Sequence, residues 1–179
     1  MPNKINCNLD KEILKANDSI LLSFKSDTLI KQFLNEMEEP QLESVEAEIY
    51  RFMILGPWGD NQIYRLMKNS YNITISFKKY WKEKNNIEID SLVLGITKTL
   101  KADEWSEIEN SLNERSFWNL PVRIDDDHYL DGTGYIIEGY SPIKNRCTKR
   151  YYHATVRTSP RDTTPYKAVF EHVNDLTSE

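Results

Sequence analysis

Residues 45–81 read VEAEIYRFMILGPWGDNQIYRLMKNSYNITISFKKYW, and a period of two runs through them. Val45, Ala47 and Ile49 alternate with Glu46 and Glu48, the repeat of a strand with one dry and one wet face. The phase then changes so that Tyr50, Phe52 and Ile54 carry the bulk, which means either a bulge or a strand covered on both faces. Gly56-Pro57-Trp58-Gly59-Asp60-Asn61 has turn composition, and a second strand is expected over Gln62–Lys68. Asn69-Ser70 then reverses the chain into Tyr71–Trp81, with Tyr71, Ile73, Ile75 and Phe77 on one face and Asn72, Thr74, Ser76 and Lys78 on the other. Two tight reversals in succession make a meander, so the sheet is antiparallel here.

Outward from this core the chain alternates less regularly. Ile87–Leu100 reads as a fourth strand, with Leu92, Leu94, Ile96 and Leu100 in phase. Asp103 caps a helix in which Trp105, Ile108 and Leu112 recur at helical spacing while Glu104, Glu107 and Glu109 face water. Phe117-Trp118-Asn119-Leu120-Pro121 is expected to dock that helix on the sheet, with Trp105 and Trp118 in the core and an Asp-rich loop following at Asp125–Asp131. Gly134–Tyr140 and Arg150–Arg157 read as a hairpin with a long basic tip, Ser141–Lys149. Thr164-Pro165 starts a terminal amphipathic helix through Val169, Phe170 and Val173, on which His172 lies off the apolar stripe and is expected in solvent. Before the meander, Ser26-Asp27 caps a helix carrying Leu29, Phe33, Leu34 and Met37 that stops at Glu39-Pro40, whereas Ile20–Phe24 reads equally as a strand or a helix turn. The expectation is α+β: about six antiparallel strands in a meander against about three helices. It covers one domain over 1–179, with a peripheral position open to residues 1–25.

The 179 residues, 39% hydrophobic and 28% charged, fall in the range of soluble globular proteins, and no apolar run approaches the roughly 20 residues that span a bilayer. Cys7 and Cys147 are too few for a disulfide framework and have no zinc-ligand spacing. With no apolar leader ahead of Cys7, the expected location is the cytoplasm. Net charge is -5, but residues 87–138 alone carry -8, a balance that disfavours nucleic acid and suits a basic protein partner. No phosphate-binding loop, nucleophile elbow or metalloprotease motif is present, and no cofactor or metal is implied.

Chemistry could reside in the final third. In the proposed hairpin His153, Thr155 and Arg157 share one face. A carboxylate at Glu138 opposite His153 or Arg157, with Asp131 beside them, would orient an imidazole for acid–base work or form an ion pair that fixes register. The second is the commoner use of such a pair. Asp125-Asp126-Asp127-His128 lacks the ligand spacing of a calcium loop and reads as a solvated turn or a weak cation site. Trp58, in a turn, has fewer ways to bury itself and reads as a contact residue.

Trp105, Phe117-Trp118-Asn119-Leu120-Pro121, Asp131-Gly132, Glu138-Gly139, Tyr152-His153, Arg157 and Ser159-Pro160 together resemble a group of small bacterial proteins with the order FW-x-LP, DG, EG, YH, R-x-SP. The sequence departs from that order at Thr158 and in the long insertion before Tyr152-His153. The resemblance implies a bacterial α+β domain and transfers no catalytic role. Two functions follow. The first is a non-enzymatic inhibitor of the immunity type, which covers a basic toxin domain with Trp58, Glu104, Glu107, Glu109 and Asp125–Asp127. The second is an enzyme of unknown class built on Asp131, Glu138, His153 and Arg157.

Overall fold

The alternation over 45–81 folds into the strands it predicts, β1 Glu48–Leu55, β2 Asn61–Lys68 and β3 Ile73–Trp81. The computed structural model describes residues 11–56, 61–81, 91–114, 117–124, 132–142, 152–160 and 165–178. Four further strands follow, β4 Ser91–Thr99, β5 Arg123–Ile124, β6 Gly134–Tyr140 and β7 Tyr152–Thr158. They complete a seven-stranded sheet in the order β4-β3-β2-β1-β6-β7-β5. All pairs are antiparallel except the last, where the two-residue β5 runs parallel to β7. Nothing in the sequence pattern announces so short a strand.

Helices cover both faces. On one lie α1 Lys11–Ser26, α2 Thr28–Glu36 and a 3-10 turn at Leu42–Ser44; on the other lie α3 Ala102–Glu114, a 3-10 turn at Phe117–Asn119 and α4 Pro165–Ser178. The described residues thus hold four α-helices rather than about three. The additional one is α1, which resolves the ambiguity of Ile20–Phe24. Among the described residues no helix is long and apolar enough to cross a membrane.

The phase change in β1 is the signature of double coverage, not of a bulge. Its register with β2 and β6 is unbroken, and Tyr50, Arg51, Phe52 and Met53 are buried in succession. Toward α3 and α4, Tyr50, Phe52, Tyr64, Leu66, Ile75, Phe77 and Ile137 meet Trp105, Ile108, Phe117, Val169 and Phe170 in one apolar cluster. Toward α1 and α2, Ile49, Met53, Ile63, Ile136 and Ala154 meet Leu21, Met37 and Leu42 in two smaller clusters.

Three expectations need correction. Tyr71 is 94% exposed, because β3 begins only at Ile73 and the side chain of Asn69 closes the turn by accepting the N–H groups of Tyr71 and Asn72. The regular phase expected over Ile87–Leu100 is interrupted by a register shift between Lys79 and Tyr80 of β3, whose backbone partners in β4 are Leu94 and Leu92. Beyond it Leu94 and Ile96 stay exposed, because β4 is the sheet's outer strand. Val45–Ala47 precede β1 rather than forming its first residues.

Candidate functional site

Antiparallel register decides which polar side chains can meet. Glu138 pairs with Ala154 across β6 and β7 and with Arg51 across β1, whereas His153 pairs with Gly139 and Arg157 with Tyr135. Directly opposed residues share a face and sequence neighbours do not. Glu138 therefore lies on the α1/α2 face while His153 and Arg157 lie on the α3/α4 face. The acid, imidazole and guanidinium expected side by side are separated by the thickness of the sheet. Asp131 lies outside the described residues.

On the α1/α2 face Glu138 belongs to a buried charge network. Arg51, 2% exposed, donates from Nε and approaches with Nη2 the Oε2 of Glu138, each at 2.6 Å, and gives Nη1 to the carbonyl of Pro40 at 2.9 Å. The other oxygen of Glu138 accepts the Tyr152 hydroxyl at 2.7 Å. Burial, followed by the adjacent Glu138 charge, pushes that phenol well up, so Tyr152 is a fixed donor at neutral pH. A second carboxylate, Glu39, is surrounded by Arg65 at 2.7 Å, Lys78 at 3.0 Å and Arg51 at 3.8 Å.

Local backbone geometry delivers Glu39. α2 ends in the left-handed conformation at Glu38, φ 52°, and the Glu39 N–H returns to the Leu34 carbonyl at 2.8 Å. The carbonyls of Met37 and Glu38 accept from Lys78 Nζ, and Met37 also accepts the Tyr80 hydroxyl. The segment 37–40 is thereby tied to three strands. A cavity of about 200 Å³ opens beside the network, with Arg51, Glu138 and Tyr152 at its base and Lys25, Lys31 and Glu43 among its walls. Lys25 pairs with Glu43 and stands 4.1 Å from the Tyr152 ring centroid.

On the opposite face His153 and Arg157 hold backbone. His153, 0% exposed, has Nε2 3.1 Å from the carbonyl oxygen of Leu120; a carbonyl can only accept, so Nε2 carries the proton. Arg157 donates to the carbonyls of Pro121 and Val122 at 3.0 and 3.4 Å, and its guanidinium lies 5.3 Å from the Tyr166 ring centroid. Three successive carbonyls, those of Leu120, Pro121 and Val122, are thus claimed by two side chains of β7. Phe117 and Trp118 wrap the imidazole at centroid distances of 5.2 and 6.4 Å. Gly139 makes room for them: a Cβ there would stand 2.7 Å from Phe117 Cε1. Ser159, φ 44°, exchanges two hydrogen bonds with Thr133, through its N–H and its hydroxyl oxygen. Of the residues that carry the FW-x-LP, EG, YH and R-x-SP pattern, Phe117, Trp118, Leu120, Pro121, Gly139, His153 and Arg157 meet on this side, whereas Glu138 and Tyr152 meet on the other.

The expected acidic surface is described only in part. Glu107 is exposed on α3, Glu104 and Glu109 are half-buried, and Glu104 folds back to accept the Lys101 N–H at 2.6 Å. His172 is half-buried rather than free in solvent, 3.5 Å from Glu107. Trp58, Asp125–Asp127, His128, residues 143–149 of the hairpin tip and both cysteines lie outside the described residues. Trp105 and Trp118 are in the core as expected, 1% and 8% exposed.

Sequence reasoning missed Arg51, Arg65 and Glu39, and it placed Lys78 on the polar face of its strand without its partner Glu39. The available signal was a charged residue inside a strand whose neighbours on both phases are apolar, as with Arg51 between Tyr50 and Phe52. No family model, curated protein or solved structure matches the chain.

Proposed function

We propose that the chain is a binding protein of the immunity type, which neutralises a basic toxin domain in the bacterial cytoplasm by covering it with an acidic surface. The observation that carries this reading is the employment of the chemistry-bearing side chains. Glu138 neutralises Arg51 on one face, while His153 and Arg157 hold the 120–122 backbone on the other. Separated in this way, they do not supply the convergent acid–base pair that the enzyme reading requires.

Outward-facing charge supports the same reading. Asp103, Glu107 and Glu114 on α3 and Glu171 and Asp175 on α4 are exposed carboxylates, and the two helices meet through Glu107 and His172. A surface on which carboxylates outnumber ammonium groups speeds encounter with a basic partner and disfavours acidic ones. The sequence resemblance to small bacterial proteins belongs to this proposal and fits a domain whose shared motifs build scaffold.

The test is affinity capture from the native bacterium followed by mass spectrometry. The expected result is one basic protein held in stoichiometric amount, released by raised salt, and encoded next to this chain. Charge reversal at Glu107→Lys together with Glu171→Lys lowers its association rate. Capture of no protein, with measured turnover of a small molecule, overturns the reading.

A further inference from the structure

We propose that the cavity between α4 and the adjoining ends of β1, β2 and β6 receives one arginine side chain of the basic partner. This rests on the reading above and gives it a point of contact.

The cavity measures about 270 Å³, below the several hundred Å³ of pockets built for whole ligands and suited to a single long side chain. Its lining includes three aromatic rings, those of Tyr64, Tyr135 and Phe170. Tyr64 and Phe170 are buried, and the Tyr135 ring stands edge-on to Phe170 at a centroid distance of 5.1 Å. Along its wall three oxygens converge, the Tyr64 hydroxyl lying 2.8 Å from Gln62 Oε1 and 2.9 Å from Asn174 Oδ1. Burial pushes the Tyr64 phenol up to about 12, so at neutral pH it keeps its proton. One hydroxyl proton thus faces two carbonyl oxygens, and the group can accept a further donor.

Charge at the mouth points the same way. Exposed carboxylates at Glu171 and Asp175 line the cavity against one ammonium, that of Lys167. A ligand that suits all three features carries positive charge, several N–H donors and a flat face. A guanidinium meets every condition: it lies against aromatic rings, donates in two directions and pairs with carboxylate. An ammonium supplies the charge without the plane. Pockets that take an arginine or an aromatic anchor are also where interface energy concentrates.

The probe is N-acetyl-arginine-N-methylamide, titrated into the full chain and followed by the NMR signals of the Tyr64 and Tyr135 rings and the Asn174 amide. The citrulline analogue, uncharged and of the same shape, is the control. Expected are saturable shifts confined to these signals, with the arginine compound binding about tenfold tighter than citrulline. That advantage disappears in the surface variant Glu171→Gln/Asp175→Asn. Equal binding of the two compounds overturns the proposal, because the Glu171 and Asp175 carboxylates then do not recognise the ligand's charge. So do shifts outside the cavity, or none that saturate. If capture yields a partner whose affinity is unchanged by Glu171→Gln/Asp175→Asn, the cavity is not its contact although the binding function stands. If the arginine compound binds as expected but capture yields no partner, the guanidinium site stands and the immunity reading falls.

Discussion

On the α3/α4 side of the sheet, β1, β2 and β6 present Tyr50, Phe52, Tyr64, Leu66 and Ile137; on the α1/α2 side, one position along the same strands, they present Arg51, Arg65 and Glu138 among Met53, Ile63 and Ile136. The first face is held by shape. Tyr50 and Phe117 meet edge-on at 6.2 Å, and Tyr64 stacks on Phe77 at 4.6 Å. The second is held by pairing, in which each buried charge depends on a particular opposite charge. A one-residue slip of β6 against β1 would put Ile137 or Gly139 opposite Arg51 and leave Glu138 on the aromatic face. The apolar face resists a slip by volume, the charged face by the cost of an unpaired ion, and the second penalty is the steeper.

The largest expected effect comes from breaking the pairing. Arg51→Met leaves Glu138 without its cation and removes one of three from Glu39, and we expect a loss of about 3–5 kcal/mol in urea unfolding. Arg51→Met/Glu138→Leu then recovers most of that loss, since an apolar pair of similar volume needs no counter-charge. A double variant as unstable as the single one would show that packing, rather than charge balance, governs this face.

Effects on the shape-held face are smaller. Gly139→Ala brings a methyl group to 2.7 Å from Phe117 and 3.1 Å from Tyr50, and overpacking of this kind costs about 1–3 kcal/mol. His153→Ala leaves the Leu120 carbonyl without its donor at a comparable cost of about 1–3 kcal/mol. Because His153 packs against Phe117, its removal gives that ring space to retreat. The two changes combined therefore cost less than their sum. Strict additivity in a thermal-unfolding cycle would mean that Phe117 does not mediate between Gly139 and His153.

How much of this was legible follows from the same contrast. Strand alternation depends on local burial, so the meander, the β6–β7 hairpin and the apolar stripes of α3 and α4 can be read from residue spacing. α1 could not, because Ile20-Leu21-Leu22 is continuous although only Leu21 is buried and Leu22 is 69% exposed; the run hides its own period. Glu138, His153 and Arg157 stood out as residues, but their grouping failed. Which face a side chain takes depends on pairing register, and nothing in the spacing placed Glu138 opposite Ala154 rather than His153. Glu39 read as the polar end of a helix; only the left-handed turn at Glu38 points it inward. The cavity beside α4 unites residues from β1, β2, β6 and α4, which no linear window contains.

The smallest effect tests where the two faces meet solvent. Glu48, half-buried at the start of β1, has its carboxyl pushed up by burial first and by Glu109 second, against a smaller downward pull from Lys68 opposite it. A carboxyl raised on folding binds its proton more tightly in the native state, so its contribution is favourable below the unfolded carboxylate range and is lost as pH rises through the folded value. At pH 7 the ionised group therefore opposes folding. Glu48→Gln is expected to raise the thermal midpoint at pH 7 by a few degrees at most, equivalent to less than about 1 kcal/mol, and to confer no advantage near pH 3, where the native and unfolded chains are both protonated at this position. A gain of the same size at both pH values would assign the effect to helix–strand packing. A loss at pH 7 would show that the attraction of Lys68 outweighs burial, and that even at its rim this sheet is fixed by charge pairing.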